Sequence, residues 1–138
     1  MSTLYLESSG VLAWLLGQAR GREVSSAVDA ARAVLTSELT YVEIERALVR
    51  AQTQAVLDEG DGRRLRGLLR RVRASWMSMA VSEKVLARAG RPFPVEPVRT
   101  LDAIHLATAL EFTEGFHDLR VLSLDRRIVE NARALGIS

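Results

Sequence analysis

Cysteine is absent from the 138 residues, which removes disulfides, thiolate nucleophiles and sulfur-ligated zinc. Histidine occurs only twice, at 105 and 117, and the single lysine is Lys84. The three prolines all fall between 92 and 97, so no proline- or glycine-rich linker divides the chain, and no internal repeat or low-complexity tract is visible. Residues 1–138 are therefore read as one domain, long enough to bury a proper core. Apolar runs such as VLAWLL (11–16) are far too short to span a bilayer, and no basic-then-apolar leader opens the sequence. The expectation is a protein without membrane attachment, in the cytoplasm. P-loop, GxGxxG, G-x-S-x-G and HExxH signatures are missing as well.

What is present is an ordinary globular composition, 48% hydrophobic and 26% charged, with its basic charge concentrated in one place. Residues 61–73, DGRRLRGLLRRVR, carry six arginines and one aspartate in a chain of net charge +2, so the remainder is net acidic. Such a segment suits a surface facing RNA, DNA or an acidic peptide. It equally suits an amphipathic helix, because Leu65, Leu68, Leu69, Val72 and Trp76 recur at helical spacing with arginines opposite.

The rest of the chain alternates short apolar runs with helical patterns. LYL (4–6), AVLTS (33–37), WMSMAV (76–81) and RVLSL (120–124) read as strands. Helices are expected over 9–18, 24–32, 40–52, 57–75 with a break at Gly60 and Gly62, from about 82 to 89, 100–113 and 126–135. This order predicts an α/β fold, a three-layer α/β/α sandwich around a mainly parallel sheet, with any site beyond the carboxyl ends of the strands.

Four acids fall at that edge by counting. Glu7 follows the first strand and Asp125 the last, while Glu43 and Asp102 sit near the starts of two helices. Each has a local explanation: Thr40-x-x-Glu43 is a capping box, Asp102 follows a potential N-cap in Thr100 and favours the helix dipole, Asp125 can cap the next helix, and Glu7 can simply end a strand. Convergence of all four would instead demand a cation. Oxygen-only donors suit Mg²⁺ or Mn²⁺, whose usual partners are phosphate oxygens. Arg99, Arg126 and Arg127 lie beside these acids and either contact a phosphate backbone or neutralise the carboxylates. Ser9 reads as an N-cap that can also reach a metal-bound water or phosphate. His105, in the apolar stretch RTLDAIHLATAL, reads as a hydrogen-bonded core histidine rather than a ligand, and Trp14 and Trp76 as core.

YLESSGVLAWLL, LTSELTYVEIERAL, RTLDAIHLATAL and VLSLDRRIVENARALGI, in that order, resemble the motifs of PIN-domain proteins, and among them the VapC-type ribonuclease toxins of bacterial toxin–antitoxin pairs. The resemblance runs from residue 4 to 137 and is weakest over 54–95. It implies a Mg²⁺- or Mn²⁺-dependent endoribonuclease, with Glu7, Glu43, Asp102 and Asp125 as catalytic acids and Glu7, Asp102 and Asp125 holding the metal. Ser9 takes the place of the small polar residue of the first motif, and Ser9, Arg99 and Arg126 are expected to contact RNA. A homodimer and a cognate antitoxin are also implied. One residue departs from the pattern: the family's first acid is usually Asp, and here it is Glu7. One extra methylene moves the carboxylate by about one C–C bond, ~1.5 Å, and a displacement of about 1 Å can cost ~10²-fold in rate. The competing reading is a catalytically weakened RNA- or protein-binding module. A phospho-acceptor domain, which needs a late-strand lysine, and a D-x-D phosphatase fit poorly.

Overall fold

Thr3–Leu6 (TLYL) forms β1, and every one of its side chains is buried, as a strand covered on both faces requires. A computed structural model of the chain describes residues 2–138. The elements that follow are α1 (Ser8–Leu15), α2 (Gly21–Ala30), β2 (Ala33–Ser37), α3 (Glu38–Thr53), α4 (Glu59–Ser75), β3 (Met77–Met79), α5 (Glu83–Ala89), α6 (Thr100–Phe112), β4 (Leu119–Leu122) and α7 (Arg126–Ala134). The sheet order is β3-β2-β1-β4, and all three pairings are parallel, with Tyr5 opposite Leu35 and Val121.

Alternation along the strands sorts the core into layers. Leu6, with Val34 and Leu122, packs under Val11, Leu15, Val24, Ile44, Leu48 and Leu65 from α1 to α4. Tyr5 and Leu35, with Val121, face the opposite way onto Ala109, Phe112 and Ala132 of α6 and α7. The expected three-layer α/β/α arrangement around a parallel sheet is what the structure has.

Several boundaries differ from expectation. Helix α3 starts at Glu38 with Ser37 as its cap, the Ser37 hydroxyl accepting from the Leu39 amide at 3.0 Å. Thr40 lies inside the helix instead, its hydroxyl 2.8 Å from that of Thr36, which donates to the Leu6 carbonyl. The Thr40–Glu43 capping box therefore does not form. Helix α4 runs through Gly60 and Gly62 without a break. Asp58 and Asp61 cap it reciprocally, and Gly62 sits where an added Cβ would lie 2.8 Å from the Gln52 side chain of α3. Thr100 is not a cap either, because α6 starts from Arg99, which makes no side-chain cap bond. The last strand ends at Leu122, two residues before the expected end.

The arginine-rich segment is the outer part of α4. Leu65, Leu69 and Val72 are buried in the core, and two arginines fasten the helix to α3. Arg66 bonds Glu45 at 3.1 Å and Gln52 at 2.8 Å, and Arg73 bonds Glu38 at 2.7 Å. Arg64, Arg70 and Arg71 are exposed and make no ion pair among the described residues.

Candidate active site

Parallel pairing puts the carboxyl ends of β1, β2 and β4 on one edge, and the chain leaves each of them into or just before a helix. Glu7 is the first residue past β1. Its amide donates to the Leu122 carbonyl at 3.1 Å, so the ladder with β4 still holds it, and its side chain caps α1. The carboxylate is buried, 3% exposed. Oε1 accepts from the Ser8 hydroxyl at 3.0 Å. Oε2 accepts from the Ser9 amide at 3.0 Å, the Ser9 hydroxyl at 2.5 Å and the Ser123 hydroxyl at 2.8 Å. Glu7, not Ser9, is thus the N-cap; Ser9 serves by donating to Glu7 and accepting from the Leu124 amide at 2.8 Å.

Asp125 caps α7, its Oδ1 accepting from the Arg127 amide at 2.9 Å and that of Ile128 at 3.4 Å. This leaves Oδ2 facing Arg99, 3.8 Å from its guanidinium. Asp102 lies in the first turn of α6. Its Oδ2 is buried and has no hydrogen-bond partner among the described residues; Arg99 Nε approaches to 3.6 Å, beyond bonding distance. Burial raises the Asp102 carboxyl above its ordinary value, the charge of Asp125 adds to the rise, Arg99 opposes it, and Glu7 raises it further. Asp102 therefore feels the charges of both of these acids. Arg99 stands between Asp102 and Asp125, but its side chain is 76% exposed, so water screens most of its attraction.

Glu43 belongs to the second turn of α3 and reaches the group by another route. Its Oε1 lies 2.5 Å from Nε2 of His105, whose Nδ1 is 2.8 Å from the Tyr5 hydroxyl. His105 is hydrogen-bonded and 1% exposed, a core histidine as expected, yet both of its nitrogens are engaged and one of them holds a site acid. Burial, then the charges of Glu7 and Glu43, push the Tyr5 phenol well above its ordinary value, so the hydroxyl keeps its proton.

Arg99, Arg126 and Arg127 border an open cavity of about 430 Å³ beside Asp125. Arg126 is 90% exposed and pairs with Glu130 at 2.8 Å, while Arg127 donates to the Pro97 carbonyl at 2.6 Å. Trp14 and Trp76 pack on each other, with ring centroids 6.0 Å apart.

Among the described residues no three Asp, Glu or His side chains close on one point as they stand. The donor set nonetheless fits a hard divalent cation: the oxygens are carboxylates, and Asp102 Oδ2 is a buried acceptor that the described residues leave unsatisfied. Such an atom is costly unless something bonds it.

Two residues of this arrangement escaped the sequence reading. Ser8 and Ser123 both donate to Glu7. Ser123 carried a faint signal, since a serine two places before an aspartate favours the turn in which its hydroxyl accepts the later amide, here that of Asp125 at 3.0 Å.

Comparison with known proteins adds the context. The family described as the PIN domain matches residues 4–134. Ribonuclease VapC46 of Mycobacterium tuberculosis is 36% identical over 139 residues, covering 100% of this chain and 96% of that protein. A chain in a toxin–antitoxin complex from Klebsiella pneumoniae has a similar fold, with a TM-score of 0.61 over 95% of this chain and 90% of its own, at 19% identity.

Proposed function

The chain belongs to the PIN-domain family, and on that premise we propose that it is an endoribonuclease, the toxin of a toxin–antitoxin pair, cleaving RNA phosphodiesters by water at an acidic site that needs Mg²⁺ or Mn²⁺. The ribonuclease name of the relative that it matches from end to end supports the activity. The observation that carries the metal requirement is Asp102 Oδ2, buried, unbonded and facing the charges of Asp125 and Glu7. Glu7, Asp102 and Asp125 are the residues proposed to hold the ion. When bound, a divalent ion supplies positive charge that stabilises charge developing on the phosphate and makes water more acidic.

The remaining work falls to the chain's own groups. Glu43 has one oxygen tied to His105 and accepts the proton of the attacking water on the other. Arg99 swings from its long contacts with Asp102 and Asp125 to the phosphate backbone, with Arg126 beside it on the cavity rim. Ser9 steadies Glu7 and lies close enough to the acids to meet a phosphate oxygen. A cognate antitoxin that covers the site, a homodimer and a cytoplasmic location complete the reading. The Klebsiella chain of like fold comes from a toxin–antitoxin complex, which is consistent with such a partner.

A second reading follows from one observation. Glu7 Oε2 already accepts three hydrogen bonds; the additional methylene carries it back over its own helix start. A carboxylate so committed suits a binding module with weakened catalysis. Cleavage of a mixed pool of transfer, ribosomal and messenger RNA decides between the two. Purified protein with Mn²⁺ is expected to cut, and both chelator and Asp102→Asn are expected to abolish cutting. No cleavage by the wild type, together with a large gain in Glu7→Asp, would establish the second reading instead.

A further inference from the structure

Tyr5, His105 and Glu43 come from β1, α6 and α3 and meet in a line behind the acids. With His105 neutral, the hydrogen bookkeeping along that line has one solution. A carboxylate oxygen only accepts, so the 2.5 Å contact with Glu43 Oε1 places the proton on His105 Nε2. Neutral imidazole then offers a lone pair at Nδ1, and the Tyr5 hydroxyl, 2.8 Å away and fully buried, donates to it. His105 is 1% exposed and reaches no substrate. Its only outlet toward the site is Glu43, whose side chain is 22% exposed. A histidine needed for packing alone would gain nothing from two buried polar atoms that each demand a partner.

We propose that His105 is a positioning residue: Tyr5 occupies its Nδ1, its Nε2–H pins Oε1 of Glu43, and Oε2 becomes the one oxygen that can meet the attacking water. The inference rests on the nuclease reading above and adds to it the group that orients the base. Glutamate has three side-chain torsions, and an untethered carboxylate would spend much of its time out of line. Groups that orient a ligand or base from behind are typically worth about 10–100-fold when removed, and loss of alignment by about 1 Å costs a similar factor.

The test combines kinetics with imidazole nitrogen NMR. In cleavage of a short RNA substrate with Mn²⁺, His105→Leu is expected to lower kcat about 10²-fold with KM within about twofold. His105→Gln, whose amide nitrogen lies near the Nε2 position, is expected to recover kcat to within about tenfold of wild type. Wild-type protein without metal should show the Nε2–H tautomer with its proton far downfield. That downfield position should be lost in Glu43→Gln, and Tyr5→Phe, which keeps the shape of the core, should shift the Nδ1 resonance while Nε2 keeps its proton. An unchanged kcat in His105→Leu would overturn the proposal and leave the nuclease standing. If the wild type cuts no RNA at all, the nuclease reading fails, and the spectra still decide the arrangement: a proton on Nδ1, an Nε2–H signal indifferent to Glu43→Gln, or an Nδ1 resonance indifferent to Tyr5→Phe would overturn it.

Discussion

Asp102 keeps an oxygen that no described residue bonds, whereas Glu7, Glu43 and Asp125 each commit at least one oxygen to a donor of the chain. That difference gives Asp102 a stability signature. Burial, the largest cause, raises its carboxyl above the ordinary 3.8, so the fold disfavours the charged form. The penalty is absent below about pH 3.8, where both folded and unfolded chains hold the proton, and it is fully present once pH has passed the raised folded value. Without metal, Asp102→Asn should therefore be more stable than wild type at pH 7, because the amide removes the charge that burial disfavours, with the gap closing toward pH 4. Urea titrations at the two pH values measure it. In the same assay Mn²⁺ should raise the wild-type midpoint and leave that of Asp102→Asn nearly unchanged. The positions of all four acids were readable from the sequence, because each lies at a strand end or near a helix start. Their partners were not: Glu43 meets a histidine 62 residues away and Glu7 a serine 116 residues away, separations on which periodicity is silent.

Among the elements, α1 and α2 approach each other closely. The first residue of α2, Gly21, lies so close to α1 that an added Cβ would stand 2.6 Å from the Ala13 carbonyl oxygen. Backbone atoms cannot swing aside as a side-chain tip can, so Gly21→Ala should cost about 2–3 kcal/mol, the range of overpacked cores. Gly67, on the outer side of α4, is the internal control. Its nearest neighbour to an added Cβ is the Arg70 guanidinium at 3.7 Å, and Gly67→Ala should gain up to about 1 kcal/mol from helix propensity. Thermal unfolding of the two variants checks both signs. Element type was legible throughout, since helical and strand periods differ so clearly. Starts were less so. Thr40, Thr100 and Ser9 each carry a good capping side chain, but at Thr40 and Ser9 strand pairing, not capping, decides where the chain can turn. β2 runs on to Ser37 and β1 stops at Leu6, which hands the caps to Ser37 and Glu7.

Over the whole molecule, strand–helix alternation made the parallel sheet legible, yet it left the order of strands open. That order has β1 in the interior of the sheet, between β2 and β4. Thr3 thus pairs with Leu119, nearly the full length of the chain away. Closing so large a loop is entropically slow, and none of its reward arrives until the two strands touch. Helices can form early from local contacts, but Glu7 and Ser123 cannot meet, nor can Asp102 feel both Glu7 and Asp125, before that closure. In a urea series, loss of RNA cleavage should coincide with loss of the far-ultraviolet circular dichroism signal; activity that fades well ahead of the helices would show a site able to open alone. Under the nuclease reading, a newly made chain passes through its half-folded states harmlessly, because the wiring withholds the cutting edge until the first strand has found the last.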